Sequence, residues 1–340
     1  MSVAAKLKDS PTTSNSVSTT RDIWLTLKKS FFVLASGIIV LVALRNSIIY
    51  HLQHFWGASG NFWQQQWEKV LAFENNDRKL YVYGTILTSG ATYWCLGGLY
   101  TFMDVTNFPK FLRKYKVQPG MNEPVDTWKL LKCVFWVIFN FTVVSAPALE
   151  AGYFLMQLRG YEASSQLPAF PNVIFQLVIC VLVQEAGFYY LHRLFHHRRL
   201  YKYIHKMHHE WQSPISITAA YCHPAEHLVV NLTPLFLGPL IVGMHVAGFW
   251  LWGVIGVLHT ITSHSGYHMP FLLSPEIHDY HHLKFDQNYG TLGLLDFLHG
   301  TDAKFRNAVQ FKRHITLMNL KSAQELFPDE NDKNKVIKEE

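Results

Sequence analysis

The apolar positions of this chain fall in long unbroken runs. Residues 31–50 are interrupted only by Arg45, and residues 80–103, 133–149 and 163–184 carry no charged side chain. Such runs predict helices that cross a bilayer, whose hydrocarbon core takes roughly 17–25 apolar residues. The stretch 228–260 is too long for one crossing and contains Pro234, Gly238, Pro239 and Gly243, which predicts a helical hairpin or a re-entrant pair. The expected fold is therefore all-α, a polytopic membrane helical protein. Residues 1–30, rich in Ser and Thr, predict a disordered cytosolic tail without a cleavable signal, followed by an N-terminal transmembrane region over 31–165. A histidine-bearing domain is expected over 166–315 and a polar C-terminal tail over 316–340.

Composition agrees, because only 16% of residues are charged, against about 25% in an average soluble protein. The net charge of +6 raises nucleic acid as a partner. Its distribution excludes that reading, since the basic residues flank the apolar runs. Residues 1–30 carry five Lys/Arg and 104–132 carry six, whereas 51–79 carry three and 157–170 only Arg159. Under the positive-inside rule the N-terminus and the 104–132 loop face the cytosol. The run at 168–190 then returns the chain to that side at Arg193, Arg198, Arg199, Lys202 and Lys206. Four cysteines (Cys95, Cys133, Cys180, Cys222) show no paired spacing, which excludes a disulfide framework or a zinc ribbon. Neither a phosphate loop nor a dinucleotide fingerprint is present.

Histidine carries the chemistry. Nineteen of 340 residues are His, and ten form two copies of H-x3-H followed by H-x2-H-H. The first copy is His192 and His196, then His205, His208 and His209; the second is His264 and His268, then His278, His281 and His282. At this frequency chance supplies roughly 0.06 H-x2-H-H motifs per chain. Neutral imidazole suits iron, zinc, copper and nickel. Residues at i, i+3 and i+4 share one helical face, so each motif can aim its rings at one point. One tetrahedral zinc uses four ligands, so ten predict two metal ions held by two quasi-equivalent halves in a cytosolic histidine-rich di-metal cap. Three residues are expected behind the ligands. Glu185 lies seven residues before His192, where it either orients a ring or pairs with an interfacial arginine. Asp279 sits inside HDYHH, and His223 opens a third H-x3-H with His227.

The quartet HRLFH, HKMHH, HSGYH and HDYHH, with GFYYLHR before it and HHLKFDQNYG after it, resembles the fatty acid hydroxylase/sterol desaturase superfamily over roughly residues 170–305, and within it the C-4 methylsterol oxidase branch. The resemblance implies an endoplasmic reticulum membrane enzyme with a non-haem di-iron centre, with all ten motif histidines as ligands. It also implies dioxygen as co-substrate, a sterol or other lipid as substrate, and electrons from NAD(P)H through cytochrome b5 and its reductase. The position matching His268 is usually Asp in that branch, whereas fatty acid hydroxylases carry His there. Desaturation is an alternative within the same chemistry, and a lipid sensor that retains the metal fold is the alternative outside it. A transporter or a di-haem cytochrome fits less well, because both place such residues within or across the spans.

Overall fold

A computed structural model describes residues 16–161 and 165–329, and all regular structure in them is helical. The chain divides into two units, residues 1–63 and residues 64–340. The described part of the first unit belongs to helix α1 (Ser16–Phe73), with Phe31, Val33, Leu34, Ile38 and Ile39 exposed. Residues 1–15 and 330–340, which belong to the two expected tails, are outside the described residues.

In the second unit, α2 (Thr85–Thr106) follows a π-helical turn, Leu80–Gly84. Helices α3 (Thr127–Phe139) and α4 (Ala146–Leu158) join through a second π turn, Asn140–Ser145. Helix α5 is Phe170–Phe195; α6 (Thr233–Val242) and α7 (Val246–His264) form the expected hairpin, turning at Gly243 and capped by the His245 ring on the Ala247 N–H. Among the described residues, four segments are long and apolar enough to cross a membrane: Thr127–Leu158, Phe170–Phe195, Pro224–Val242 and Val246–His264. The run at 80–103 becomes α2 but is not among them, because its Thr, Ser, Gly and Tyr residues dilute its hydropathy.

Within a bilayer, helices associate by close packing of small residues more than by burial from water. Gly238 of α6 shows this, because a Cβ there would lie 2.8 Å from the Cys180 Cα of α5. The core under the histidine motifs is built from Tyr93, Cys133, Val137, Trp211, Tyr221, Ile261 and Tyr267. Leu317 and Ala323 also belong to it. The expected tail from 316 is thus corrected over its first dozen residues. A capping box at Ser322 and Glu325 starts a short helix there, and the Arg313 guanidinium donates to the Phe327 carbonyl.

Candidate metal centre

The histidine motifs gather where α5 and α7 end. His192 closes α5, with His196 at its C-cap, and His264 is the last residue of α7. HKMHH lies on a 3-10 helix, His205–Glu210, and HDYHH on an α-helix, α8 (Glu276–Lys284). Helix α8 carries Glu276 and Asp279 in its first turn and Lys284 in its last, in accord with the helix dipole, and Phe285 stops it with a φ of 66°.

Nine of the ten motif histidines form two groups. His192, His196, His205, His209 and His281 make one, and His208, His264, His278 and His282 the other; within each, the facing nitrogens lie within 4.8 Å of one another. The groups do not divide the sequence into halves. HKMHH sends His205 and His209 to the first group and His208 to the second, while HDYHH sends His278 and His282 to the second and His281 to the first. Each H-x2-H-H motif therefore serves both groups. The expectation of two quasi-equivalent halves is corrected to two interlocked histidine groups.

His268 joins neither group. His264 and His268 would share a face only on a helix through HSGYH, but α7 ends at His264 and the chain turns at Gly266, whose φ is +68°. A side chain at Gly266 would also meet the Pro214 carbonyl at 2.9 Å. The turn is held against residues 115–117, Val117 N–H donating to the Gly266 carbonyl and His268 N–H to the Tyr115 carbonyl. The His268 ring consequently points away from both groups. Its Nε2 donates to the Ile315 carbonyl at 2.8 Å, and its Nδ1 lies 3.5 Å from Glu276.

The rings that do converge are held from behind. Nδ1 of His192, His281, His208, His264 and His282 lies 2.6–3.1 Å from the carbonyls of Tyr289, Gln287, Tyr221, Thr260 and Trp211. His205 Nδ1 lies 2.7 Å from Glu226 Oε1. A carbonyl only accepts, so each Nδ1 carries the proton and Nε2 is left with its lone pair. Those Nε2 atoms nevertheless face each other, at 3.1 Å for His192–His205 and 3.4 Å for His264–His208. Two lone pairs cannot hydrogen-bond. A cation between them removes the conflict, so these residues fit a metal ion in each group. Burial supports the same state. It pushes His196, His205, His209, His278, His281 and His282 well below the ordinary imidazole range and His208 down to about 4, with neighbouring rings adding to the effect for the first six. Neutral imidazole is the ligating form.

The three residues expected behind the ligands are placed differently. Glu185 touches no imidazole and pairs with no arginine. It accepts from Thr291 N–H and Oγ1, Leu292 N–H and Leu295 N–H, and so fixes the loop after α8. Asp296 does the same for Tyr289 and Gly290 N–H, and this loop supplies the carbonyls that hold His192 and His281. His223 caps the short Pro224–Glu226 turn through its Nδ1 and reaches neither group. Asp279 turns away from the rings to accept from Gln118 Nε2, and burial next to Glu276 pushes its carboxyl up to about 8. Glu226 and Asp296 were missed in the sequence. The only signal for Glu226 was its place in HPAEH, and nothing in residues 286–296 marked Asp296.

A cavity of about 30 Å3 lies between the groups, room for roughly two waters or one diatomic molecule. Histidines of both groups line it, with Phe188, Val230 and Thr260 from the membrane-spanning segments and with Glu226 and Asn231 as its other polar edge.

Helices long and apolar enough to cross a membrane, ending at two buried histidine groups over one cavity, fit a multi-pass membrane protein whose rings could hold metal ions. The fatty acid hydroxylase family profile matches residues 177–301, which contain every motif histidine. The chain is similar to fatty acid hydroxylase domain-containing protein 2 of Macaca fascicularis, 44% identical over 90% of this chain and 92% of that protein. It is also similar to methylsterol monooxygenase 1 of Gallus gallus, 32% identical over 72% of this chain and 82% of that protein. Fatty acid hydroxylase ahd1 of Mycosarcoma maydis is 36% identical over 62% of this chain and 54% of its own length. The chain belongs to the fatty acid hydroxylase family. No solved structure matches it.

Proposed function

We propose that this protein is a membrane-bound non-haem di-iron oxygenase that hydroxylates a lipid, most simply a methyl group of a sterol at C-4. The observation that carries the reading is the pair of interlocked histidine groups facing one cavity, with apolar membrane-spanning segments forming the rest of its wall. The similarity to methylsterol monooxygenase 1 supports a sterol substrate. His192, His196, His205, His209 and His281 would hold one iron, and His208, His264, His278 and His282 the other. Two irons supply the activation of dioxygen with two electrons that no side chain performs unaided.

The chain's own residues do the rest. Backbone carbonyls hold the rings in one tautomer, so ligation needs no reorganisation. Phe188 and Val230 keep the cavity apolar on the membrane side, where a lipid tail or ring enters and bulk water does not. The basic residues at 193–206 fit a cytosolic face, which places the centre within reach of cytochrome b5 and its reductase as the route from NAD(P)H. The endoplasmic reticulum membrane is the compartment that supplies these partners.

Cells lacking the protein, rescued with wild type or with His281→Ala, test the assignment. The expected result is accumulation of a methylsterol in the null cells, corrected by wild type and not by His281→Ala. Under 18O2 the rescued cells carry the heavy isotope in the oxidised sterol. Unchanged sterols with altered double-bond positions in acyl chains would replace hydroxylation by desaturation. Full rescue by His281→Ala would sink the metal-dependent reading altogether.

A further inference from the structure

The two histidine groups are related by their motifs but not by their surroundings. Five of the six rings whose Nδ1 has an oxygen partner use a neutral carbonyl, spread over both groups. The sixth, His205, uses a carboxylate, Glu226, at 2.7 Å. Glu226 is 2% exposed. Among the described residues, His205 is the one basic side chain within ion-pair distance of it. Its second oxygen, Oε2, has no hydrogen-bond partner, and the residue lines the cavity between the groups. A buried carboxylate in this setting needs positive charge close by. Its one ring partner, His205, meets it through Nδ1 and turns Nε2 toward the other rings of the five-histidine group. A cation held at that Nε2 would place positive charge one ring away from Glu226.

We propose that Glu226 is the counter-charge of the five-histidine group. Resting on the two-metal reading above, it orients His205 and makes that ring a stronger donor, so the ion in the five-histidine group is held more tightly and favours its oxidised state. Among the described residues no carboxylate is bonded to a ring of the four-histidine group, so the two ions would be inequivalent although their ligands are all imidazole. Glu226 is a positioning residue, acting through His205. Its place is fixed by the HPAE turn, in which the His223 ring caps the Ala225 N–H, and by the next residue, His227, whose Nε2 meets Ser145 Oγ at 2.8 Å.

Full-length protein in detergent, loaded with iron(II) without oxygen, tests this with Glu226→Ala and Glu226→Gln. Iron loss to a competing chelator is measured by mass spectrometry, and each site's oxidation state by Mössbauer spectroscopy during a redox titration. Glu226→Ala should release one of its two ions about 10–100-fold more readily than wild type, the usual effect of losing a ligand's outer partner. Glu226→Gln keeps an acceptor for His205 but not the charge. It should retain both ions while the potential of one iron rises and that of the other stays. A wild type that binds fewer than two ions would overturn the two-metal reading itself. Two ions in wild type, with unchanged release in Glu226→Ala or unchanged potentials in a folded Glu226→Gln, would overturn the role of Glu226 alone.

Discussion

Replacing Glu185 by alanine removes four hydrogen bonds at once, those from Thr291 N–H and Oγ1 and from the N–H groups of Leu292 and Leu295. A buried donor left without a partner costs about 1–3 kcal/mol. Three backbone donors lose theirs, and the Leu292 side chain is exposed, so water can replace part of what is lost. The expected destabilisation is therefore near the lower limit for three donors, about 3 kcal/mol. Glu185→Gln separates the donors. Three of the four point at Oε2, where an amide oxygen serves equally, and only Leu295 N–H points at Oε1, where an amide NH2 would face it. One lost bond of this kind costs about 1–2 kcal/mol. Loosening the 290–295 loop should also free the Tyr289 carbonyl that holds His192, so Glu185→Ala should lose iron from the five-histidine group although Glu185 touches no ring. Thermal unfolding in detergent and iron content are the assays. A Glu185→Ala protein that melts and binds iron like wild type would refute the account of the loop.

Three further outcomes follow from the same geometry. His268→Ala should keep both metal ions, since its ring bonds the Ile315 carbonyl and stands outside the groups; metal analysis showing a lost ion would restore it as a ligand. Gly238→Ala should destabilise the α5–α6 contact by roughly 1–3 kcal/mol, because the new methyl meets backbone at 2.8 Å; an unchanged melting temperature would contradict that packing. The metal-free protein should lose stability in acid. His208 is held at about 4 when folded against an ordinary value of 6.5, and the other six rings outside the spans are also depressed. Between those pH values the unfolded chain binds a proton at His208 that the folded chain does not, so this contribution is complete above 6.5 and falls as pH drops toward 4, by about 1.4 kcal/mol per pH unit, with the other six rings acting in the same direction. Denaturant melts of apo-protein that are flat from pH 7 to pH 5 would count against neutral rings.

What the sequence made legible follows from short-range physics. Apolar runs announced the membrane helices and the 228–260 hairpin, because a span needs little beyond length and hydropathy. His spacing announced clustered rings, because i and i+4 reach the same group (His192 with His196, His205 with His209, His278 with His282), while the i+3 ring of each H-x2-H-H motif reaches the other. His268 failed that logic through Gly266, a single residue that ends the helix four positions early. Interlocking of the two H-x2-H-H motifs was out of reach, since which ring meets which depends on how α8 lies across the 205–210 helix. Glu185, Glu226 and Asp296 were hidden for the same reason. Their partners lie 106, 21 and 7 residues away along the chain, and a lone carboxylate in an apolar run does not say which loop it will meet.

Counting metal in wild type and in one variant of each group tests the central claim most directly. Mass spectrometry of purified protein should give two iron ions per chain, falling to about one in both His196→Ala and His264→Ala. Extended X-ray absorption of the remaining ion should show nitrogen ligands only. A wild type with a single ion, or a His264→Ala protein that keeps two, would contradict the existence of two separate histidine sites.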